Sequence, residues 1–336
     1  MCQSCFQAGD LVNRFNLFRK SSYECSTCTV TDNSQCLPRA IAHGQQPPYV
    51  FFGPRVSGRG VFKMFGITTA EAFSSASVDG VLGDCDGYLA SHSWMAELAT
   101  AMSTGGIQNI VFIGQTGIPS AKWLADPATA NHPVLGLWYR EHQGVIDLAD
   151  SLYGPAFTQA ELQTNIEKAI PVHALIQLRT YMKKYFPDAD VKVSAGFLDV
   201  ARAKLEWVDS TRIGSYTAKG NAELNARFAA RRGSLMQKGP HACDSTRGFI
   251  SCFDSRAIAS HVFGIASSES FVSTSMGGVW SSYGTDLANL TWVPELFMVM
   301  EAKPVKELVF LGHTACAGAK LIAADKTANP LHASWQ

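Results

Sequence analysis

Two short segments in the second half of the chain carry side chains that could hold a metal ion. Cys252 is followed by Asp254 and Arg256 in the run CFDSR, and His313 is followed by Cys316 in HTAC. Two thiolates and one imidazole are enough for a catalytic zinc site, because the fourth position stays open for water or substrate. An arginine beside an aspartate keeps the carboxylate ionised, so Asp254 could accept a proton or hydrogen bond from water in that site.

Each of these segments follows a predicted buried strand, GFISCF at 248–253 and ELVFLG at 307–312. Ligand sites of open α/β sheets form at the carboxyl ends of parallel strands. A single cysteine at a strand end is more often a small core residue. The combination of both segments, in this order, is what favours a zinc site.

The composition limits the class of protein. The 336 residues are 46% hydrophobic and 17% charged, which predicts a globular chain of about two domains. Lysine plus arginine and aspartate plus glutamate both number 28, so the zero net charge argues against a nucleic-acid partner. We expect no membrane-spanning segment, because no apolar run reaches about 18 residues. The N-terminus shows no basic and then apolar pattern, so no signal peptide is predicted.

The chain repeats itself. Residues 65–122 align without a gap on residues 263–320, with 21 identities in 58 positions. We therefore predict two tandem copies of one domain, at 37–210 and 211–336, after an N-terminal arm at 1–36. The second copy lacks a C-terminal segment that the first copy has.

Short apolar strands alternate with helical patterns in both copies. Strands are predicted at 49–53, 109–114 and 190–197 as well as in the second copy, and helices from Trp94 onward and over 165–185. This alternation predicts an α/β fold with mostly parallel sheets flanked by helices.

The site segments resemble the β-class carbonic anhydrases, in particular the plant-type branch. CFDSRAIASHVFGIASSESFV is similar to the family stretch that begins with C-x-D-S-R, and ELVFLGHTACAGAK is similar to its strand followed by H-x-x-C-G-G. The resemblance implies a zinc enzyme that interconverts CO2 and bicarbonate. It implies that Cys252, His313 and Cys316 bind zinc and that Asp254 and Arg256 form a catalytic pair. In the family this aspartate can instead take the fourth zinc position.

The resemblance covers both copies and implies their arrangement. The family builds its sites at a two-fold dimer interface, so two tandem copies would form an intramolecular pseudo-dimer. In the first copy the ligand positions hold other residues, and it is predicted to be catalytically dead. The five site positions there are Pro54, Val56, Gly58, Gln115 and Ile118. By resemblance, the plastid or the cytoplasm is the expected compartment.

Two alternative functions stay open. The second copy has Ala266 where the plant-type family has a substrate-orienting glutamine, and Ala317 where it has a glycine. One alternative is a carbonic-anhydrase-like structural or scaffold subunit of a larger assembly, and the other is a hydrolase of COS or CS2. Because the second copy lacks its last segment, we expect an uncovered sheet edge and hence a homo-oligomer or a larger assembly.

A second metal site is predicted in the N-terminal arm. Cys2 and Cys5 form one C-x-x-C pair, and Cys25 and Cys28 form another. Paired knuckles of this kind are typical of a structural zinc site. Free or partly oxidised thiols and disulfides are the alternatives.

Overall fold

The structure is a computed structural model of the chain. It describes residues 13, 16, 47–53, 64–67, 71–75, 80–87, 94–237, 247–253, 262–263, 270–275, 285, 292–302, 305–314, 316 and 319.

The first half of the chain builds a six-stranded sheet. Its strands are β1 (Tyr49–Phe52), β2 (Ala72–Ser75), β3 (Asn109–Gln115), β4 (Lys192–Asp199), β5 (Lys204–Val208) and β6 (Tyr216–Thr217). They lie in the order β2-β1-β3-β4-β5-β6. The first four are parallel, whereas β5 and β6 are antiparallel to their neighbours. The runs YVFF and NIVFIG are buried almost throughout, as expected of central strands covered on both faces.

Helices cover both faces of this sheet. They are α1 (Trp94–Ser103), α2 (Pro119–Leu124), α3 (Gly136–Glu141), α4 (Gln143–Tyr153), α5 (Gln159–Tyr185) and α6 (Ala222–Gln237), with a 3-10 helix at Pro127–Asn131. The first five helices contribute to a large core on one face, together with Val50 and Phe112 of the strands. Helix α6 covers the other face, where Leu224 and Phe228 join a core with Phe51.

Helix α5 is the longest element and lies directly on β3. A capping box starts it, because the Thr158 hydroxyl accepts from the Glu161 backbone N–H while the Glu161 carboxylate accepts from the Thr158 N–H. Its buried Pro171 contacts the backbone of β3 at Gly114, where a Cβ atom would come within 3.0 Å of the proline ring. Gly114 therefore lets the helix approach the strand closely.

The second half of the chain builds a smaller sheet. Its strands are β7 (Arg247–Cys252), β8 (Ser270–Ser275) and β9 (Glu307–Leu311), and a helix α7 (Trp292–Ala302) precedes β9. The strands are parallel and lie in the order β8-β7-β9. The first sheet has the same arrangement in β2-β1-β3.

Strand β9 is the edge of this sheet, and two of its apolar side chains are exposed to solvent. Leu308 is 38% exposed and Phe310 is 59% exposed. The aligned residues of β3, Ile110 and Phe112, are fully buried. In the first sheet Ile110 and Phe112 pack in the core beneath the helices, together with Leu175 and Leu178 of α5. Strand β4 also pairs with β3 there, whereas β9 has no equivalent partner strand among the described residues.

The two sheets meet at β2 and β8. The Ser74 backbone N–H donates to the Phe253 carbonyl at 3.3 Å, and the Thr274 hydroxyl donates to the Ser74 carbonyl at 3.3 Å. The Phe73 and Phe253 rings lie 5.2 Å apart. The segment that follows β7 is therefore held by the edge of the first sheet.

The α/β class and the parallel sheets are confirmed. Each strand predicted from an apolar run is present, with ends that differ by no more than two residues. Strands β2, β5, β6 and β8 were not predicted. Strand β6 and helix α6 lie beyond residue 210, the predicted end of the first copy. Nevertheless, β6 pairs with the first sheet and α6 packs on it. No described helix is both long enough and apolar enough to cross a membrane.

Candidate metal centre

Three predicted ligands converge at the carboxyl edge of the second sheet. Cys252 is the last residue of β7, and His313 and Cys316 follow the neighbouring parallel strand β9. One ligand atom from each side chain lies within 4.8 Å of the other two. Adjacent parallel strands end at the same edge, so residues 64 positions apart in the chain meet here.

The two thiols have a spacing that suits a metal ion. Their sulfur atoms are 3.8 Å apart, far beyond the length of a disulfide bond. Two sulfurs bound to one tetrahedral zinc, each at about 2.3 Å, would be separated by about 3.8 Å. Cys252 and Cys316 are both buried, so little water reaches their sulfur atoms to compete with them for a bound metal ion.

The imidazole of His313 is oriented by its own backbone. Its Nδ1 lies 2.9 Å from the Thr314 carbonyl oxygen, which requires Nδ1 to carry the proton. Nε2 then has a free lone pair, and this atom is buried without a hydrogen-bond partner within the described part of the chain. A buried acceptor left in this state fits a metal ligand, since a backbone carbonyl commonly fixes the tautomer of a ligating histidine.

Other predicted site residues lie outside the described residues. These are Asp254 and Arg256, Ala266 and Ala317, and the four cysteines of the N-terminal arm, Cys2, Cys5, Cys25 and Cys28. The neighbour of the first ligand, Phe253, is described and packs on Phe73 of the first sheet. The first half of the chain therefore contacts the residue next to Cys252.

The matching place in the first sheet holds no such set of ligands among its described residues. Gln115 ends β3 and Ile118 precedes α2, and both side chains are buried. The Gly117 N–H between them donates to the Glu167 carboxylate at 2.9 Å. Burial raises the pKa of Glu167. At these two positions an amide and an isoleucine cannot replace imidazole and thiolate as metal ligands.

A partly buried polar cluster in the first half was not predicted from the sequence. The Asp84 carboxylate accepts from His173 Nε2 at 2.8 Å and from Gln177 Nε2 at 2.9 Å. The hydrogen bond from His173 is the main reason that the pKa of Asp84 is lowered. Burial lowers the pKa of the nearby His142 to about 4. The four-residue spacing of His173 and Gln177 on α5 was the one available signal, and nothing in the sequence marked Asp84 as their partner.

A family comparison bears on the metal centre. The sequence model of the family described as carbonic anhydrase matches residues 248–335. The matched segment contains Cys252, His313 and Cys316 and about a quarter of the chain. A search of curated proteins finds no match.

Several solved β-carbonic anhydrases are similar in structure. The enzyme CafA of Aspergillus fumigatus is 16% identical, with a TM-score of 0.42, over 58% of this chain and 87% of that one. A Coccomyxa enzyme in complex with acetazolamide is 14% identical, with a TM-score of 0.46, over 70% of this chain and all of that one. A tetrameric enzyme of Sordaria macrospora is 16% identical, with a TM-score of 0.40, over 54% and 88%.

Proposed function

We propose that the second half of the chain is a zinc-dependent carbonic anhydrase that interconverts CO2 and bicarbonate. The observation that carries this proposal is the convergence of the Cys252, His313 and Cys316 ligand atoms within 4.8 Å. The family match over 248–335 supports the same assignment. Zinc, when bound there, would supply a Lewis acid that lowers the pKa of water toward about 7.

The side chains of this segment would divide the work between them. Cys252, Cys316 and Nε2 of His313 would hold the metal, and the Thr314 carbonyl would keep the His313 ring in the required tautomer. Asp254 follows Cys252, the last residue of β7, by two positions in the sequence. Its carboxylate would accept the proton or hydrogen bond of the reacting water, and Arg256 would keep it ionised.

Metal analysis combined with stopped-flow CO2 hydration tests the proposal. We expect Cys316→Ala to lose both the zinc of this site and the activity, and Asp254→Asn to keep zinc but lose most of the rate. Cys85→Ala is the matched control, because Cys85 is also a buried cysteine but is not one of the three predicted ligands. Equal CO2-hydration rates in zinc-loaded wild type and in Cys316→Ala would overturn the proposal. Hydrolysis of COS or CS2 by a loaded enzyme that does not hydrate CO2 would assign the related hydrolase instead.

We also propose that the chain is a tandem pseudo-dimer with one live site. The shared strand order of β2-β1-β3 and β8-β7-β9 supports two related copies. The contacts of Ser74 and Phe73 with Phe253 support their apposition at β2 and β8. Replacing Gln115 in the first copy with alanine should change neither zinc content nor the rate of CO2 hydration, whereas a loss of zinc would contradict a dead first copy.

A scaffold role is the second candidate, and the exposed edge of β9 favours it. Leu308 and Phe310 present apolar surface along a strand whose counterpart in the first sheet is paired. Such an edge is a template for pairing with another chain. We therefore propose that another chain covers β9, in a homo-oligomer or a larger assembly, whether or not the metal centre is active.

A further inference from the structure

A cavity of about 610 Å³ lies in the first half of the chain, between α5, the start of β4 and the segment after β5. Its volume falls within the range of small-molecule sites, which is about 300–1,000 Å³. Lys192, which lines the cavity, is the first residue of β4. The cavity therefore lies at the amino end of that strand, away from the carboxyl edge at which the ligand residues of the second sheet gather.

The cavity forms because two strands diverge. Strand β5 pairs with β4 over Gly196–Asp199, whereas β4 begins at Lys192. The first residues of β4 thus leave an open backbone edge that faces the segment Val208–Ser210 across the cavity. The Ser194 hydroxyl, on this stretch of β4, is buried and has no hydrogen-bond partner within the described residues.

The charges around the cavity are mainly positive. Arg179, Lys192 and Lys219 line it, and none of the three forms an ion pair within the part of the chain that the structure describes. The carboxylate on the wall, Asp209, already accepts hydrogen bonds from the Thr211 backbone N–H at 2.9 Å and hydroxyl at 2.7 Å. Three unpaired cations around one concavity favour an anion with more than one negative charge.

Apolar side chains form part of the remaining wall, beside polar ones. Leu175 and Trp207 are nearly fully buried, whereas Val191 and Val193 at the start of β4 are half-buried and offer apolar surface to a ligand. Gly220 lies directly on the Trp207 ring, so that a Cβ there would clash with it. A purely inorganic anion would leave this apolar surface against water, whereas an organic anion would cover it.

We propose that this cavity binds a small organic anion that joins a doubly charged group, such as a phosphate ester, to an apolar body. Arg179, Lys192 and Lys219 bind the charged group, and Val191 and Val193 contact the apolar body. The site belongs to the first half of the chain, and none of Cys252, His313 and Cys316 lines it. The inference therefore does not depend on the proposed enzymatic activity.

Isothermal titration calorimetry of the full chain tests the site with 1-naphthyl phosphate, inorganic phosphate and neutral 2-naphthol. We expect 1-naphthyl phosphate to bind once per chain, and the other two probes to bind at least about tenfold more weakly, a difference of about 1.4 kcal/mol. Arg179→Ala and Lys192→Ala should each weaken binding of 1-naphthyl phosphate about tenfold, as expected for loss of a charge-assisted hydrogen bond.

Lys183→Ala is the matched control, because Lys183 is an exposed lysine of α5 outside the cavity wall. It should leave the affinity unchanged. Circular dichroism confirms that each variant is folded. Failure of 1-naphthyl phosphate to bind, equal affinity for 2-naphthol, or equal effects of Lys183→Ala and Lys192→Ala would overturn the proposal.

Discussion

The backbone N–H of Ser74 donates a hydrogen bond to the carbonyl of Phe253, one residue after the proposed metal ligand Cys252. Residues 179 positions apart thereby join the edge of one sheet to the end of a strand in the other. The Phe73 ring packs on Phe253 at the same place. The position of Cys252 therefore depends on contacts of its neighbour Phe253 with the first half of the chain.

This dependence predicts a distant effect on metal binding. Phe73→Ala removes a buried ring and should destabilise the protein by about 3–5 kcal/mol. It should also weaken zinc binding, because Phe253 loses the surface that holds it beside Cys252. Competition with a zinc chelator measures the affinity, and chemical denaturation measures the stability.

Phe228→Ala is the matched control for this prediction. Phe228 is a buried phenylalanine in the core on the opposite face of the first sheet. It should cost comparable stability and leave the zinc affinity unchanged. Equal zinc affinities in both variants would show that the contact of Phe73 does not position the centre.

The exposed edge of β9 predicts association. Phe310→Glu places a charge on the apolar edge and should shift the chain from a larger species to a monomer of 36.3 kDa in sedimentation velocity. Ile213→Glu is the control, because Ile213 is 55% exposed and lies far from β9 in the chain. A wild type that sediments as a monomer at micromolar concentration would refute association.

The buried His142, which directly precedes α4, predicts that the protein loses stability in acid. Burial lowers the pKa of His142 from 6.5 to about 4, so the unfolded chain takes up a proton that the folded chain refuses between these values. The free energy of unfolding should therefore be intact above pH 6.5 and fall by up to about 3 kcal/mol as the pH approaches 4.

Urea denaturation of the wild type and of His142→Asn at a series of pH values measures the contribution of His142 to the free energy of unfolding. The variant cannot titrate in this range, so its stability should fall less between pH 7 and pH 4. The nearby Asp84 has a pKa lowered from 3.8 and titrates below this window. Parallel losses in the two proteins would exclude His142 as the cause.

The N-terminal cysteines predict a second zinc ion. If Cys2, Cys5, Cys25 and Cys28 form a structural site, the chain should hold two zinc ions, and the double variant Cys25→Ser, Cys28→Ser should hold one. Its stability should fall, because binding at a structural site contributes to the free energy of folding. Zinc analysis that finds one ion in the wild type would eliminate this site.

The strands that the sequence predicted are those with continuous apolar runs, such as β1 and β3. Strands β2 and β8 escaped prediction because serine and threonine interrupt them at buried positions. Such residues are tolerated there when their hydroxyls find partners, as Ser75 does in its hydrogen bond to the buried Glu97 carboxylate. No local pattern reveals that a buried glutamate lies opposite.

The candidate site, too, was predicted from the sequence only in part. The sequence was enough to predict that Cys252, His313 and Cys316 meet, because they lie at the carboxyl ends of two predicted parallel strands. The support from Phe73 could not be predicted, since it depends on how two sheets meet. The cavity beside Trp207 also escaped prediction, because it exists only where β4 and β5 diverge.

The position of α6 has a consequence for how the protein forms on the ribosome. Leu224 and Phe228 complete a core whose other members include Phe51 and Phe65, and Arg227 pairs with Glu71 at 2.9 Å. The first sheet is therefore open on one face until synthesis has passed residue 228. A nascent chain arrested before that point would expose this face to chaperones, and its folding would wait for the arrival of α6.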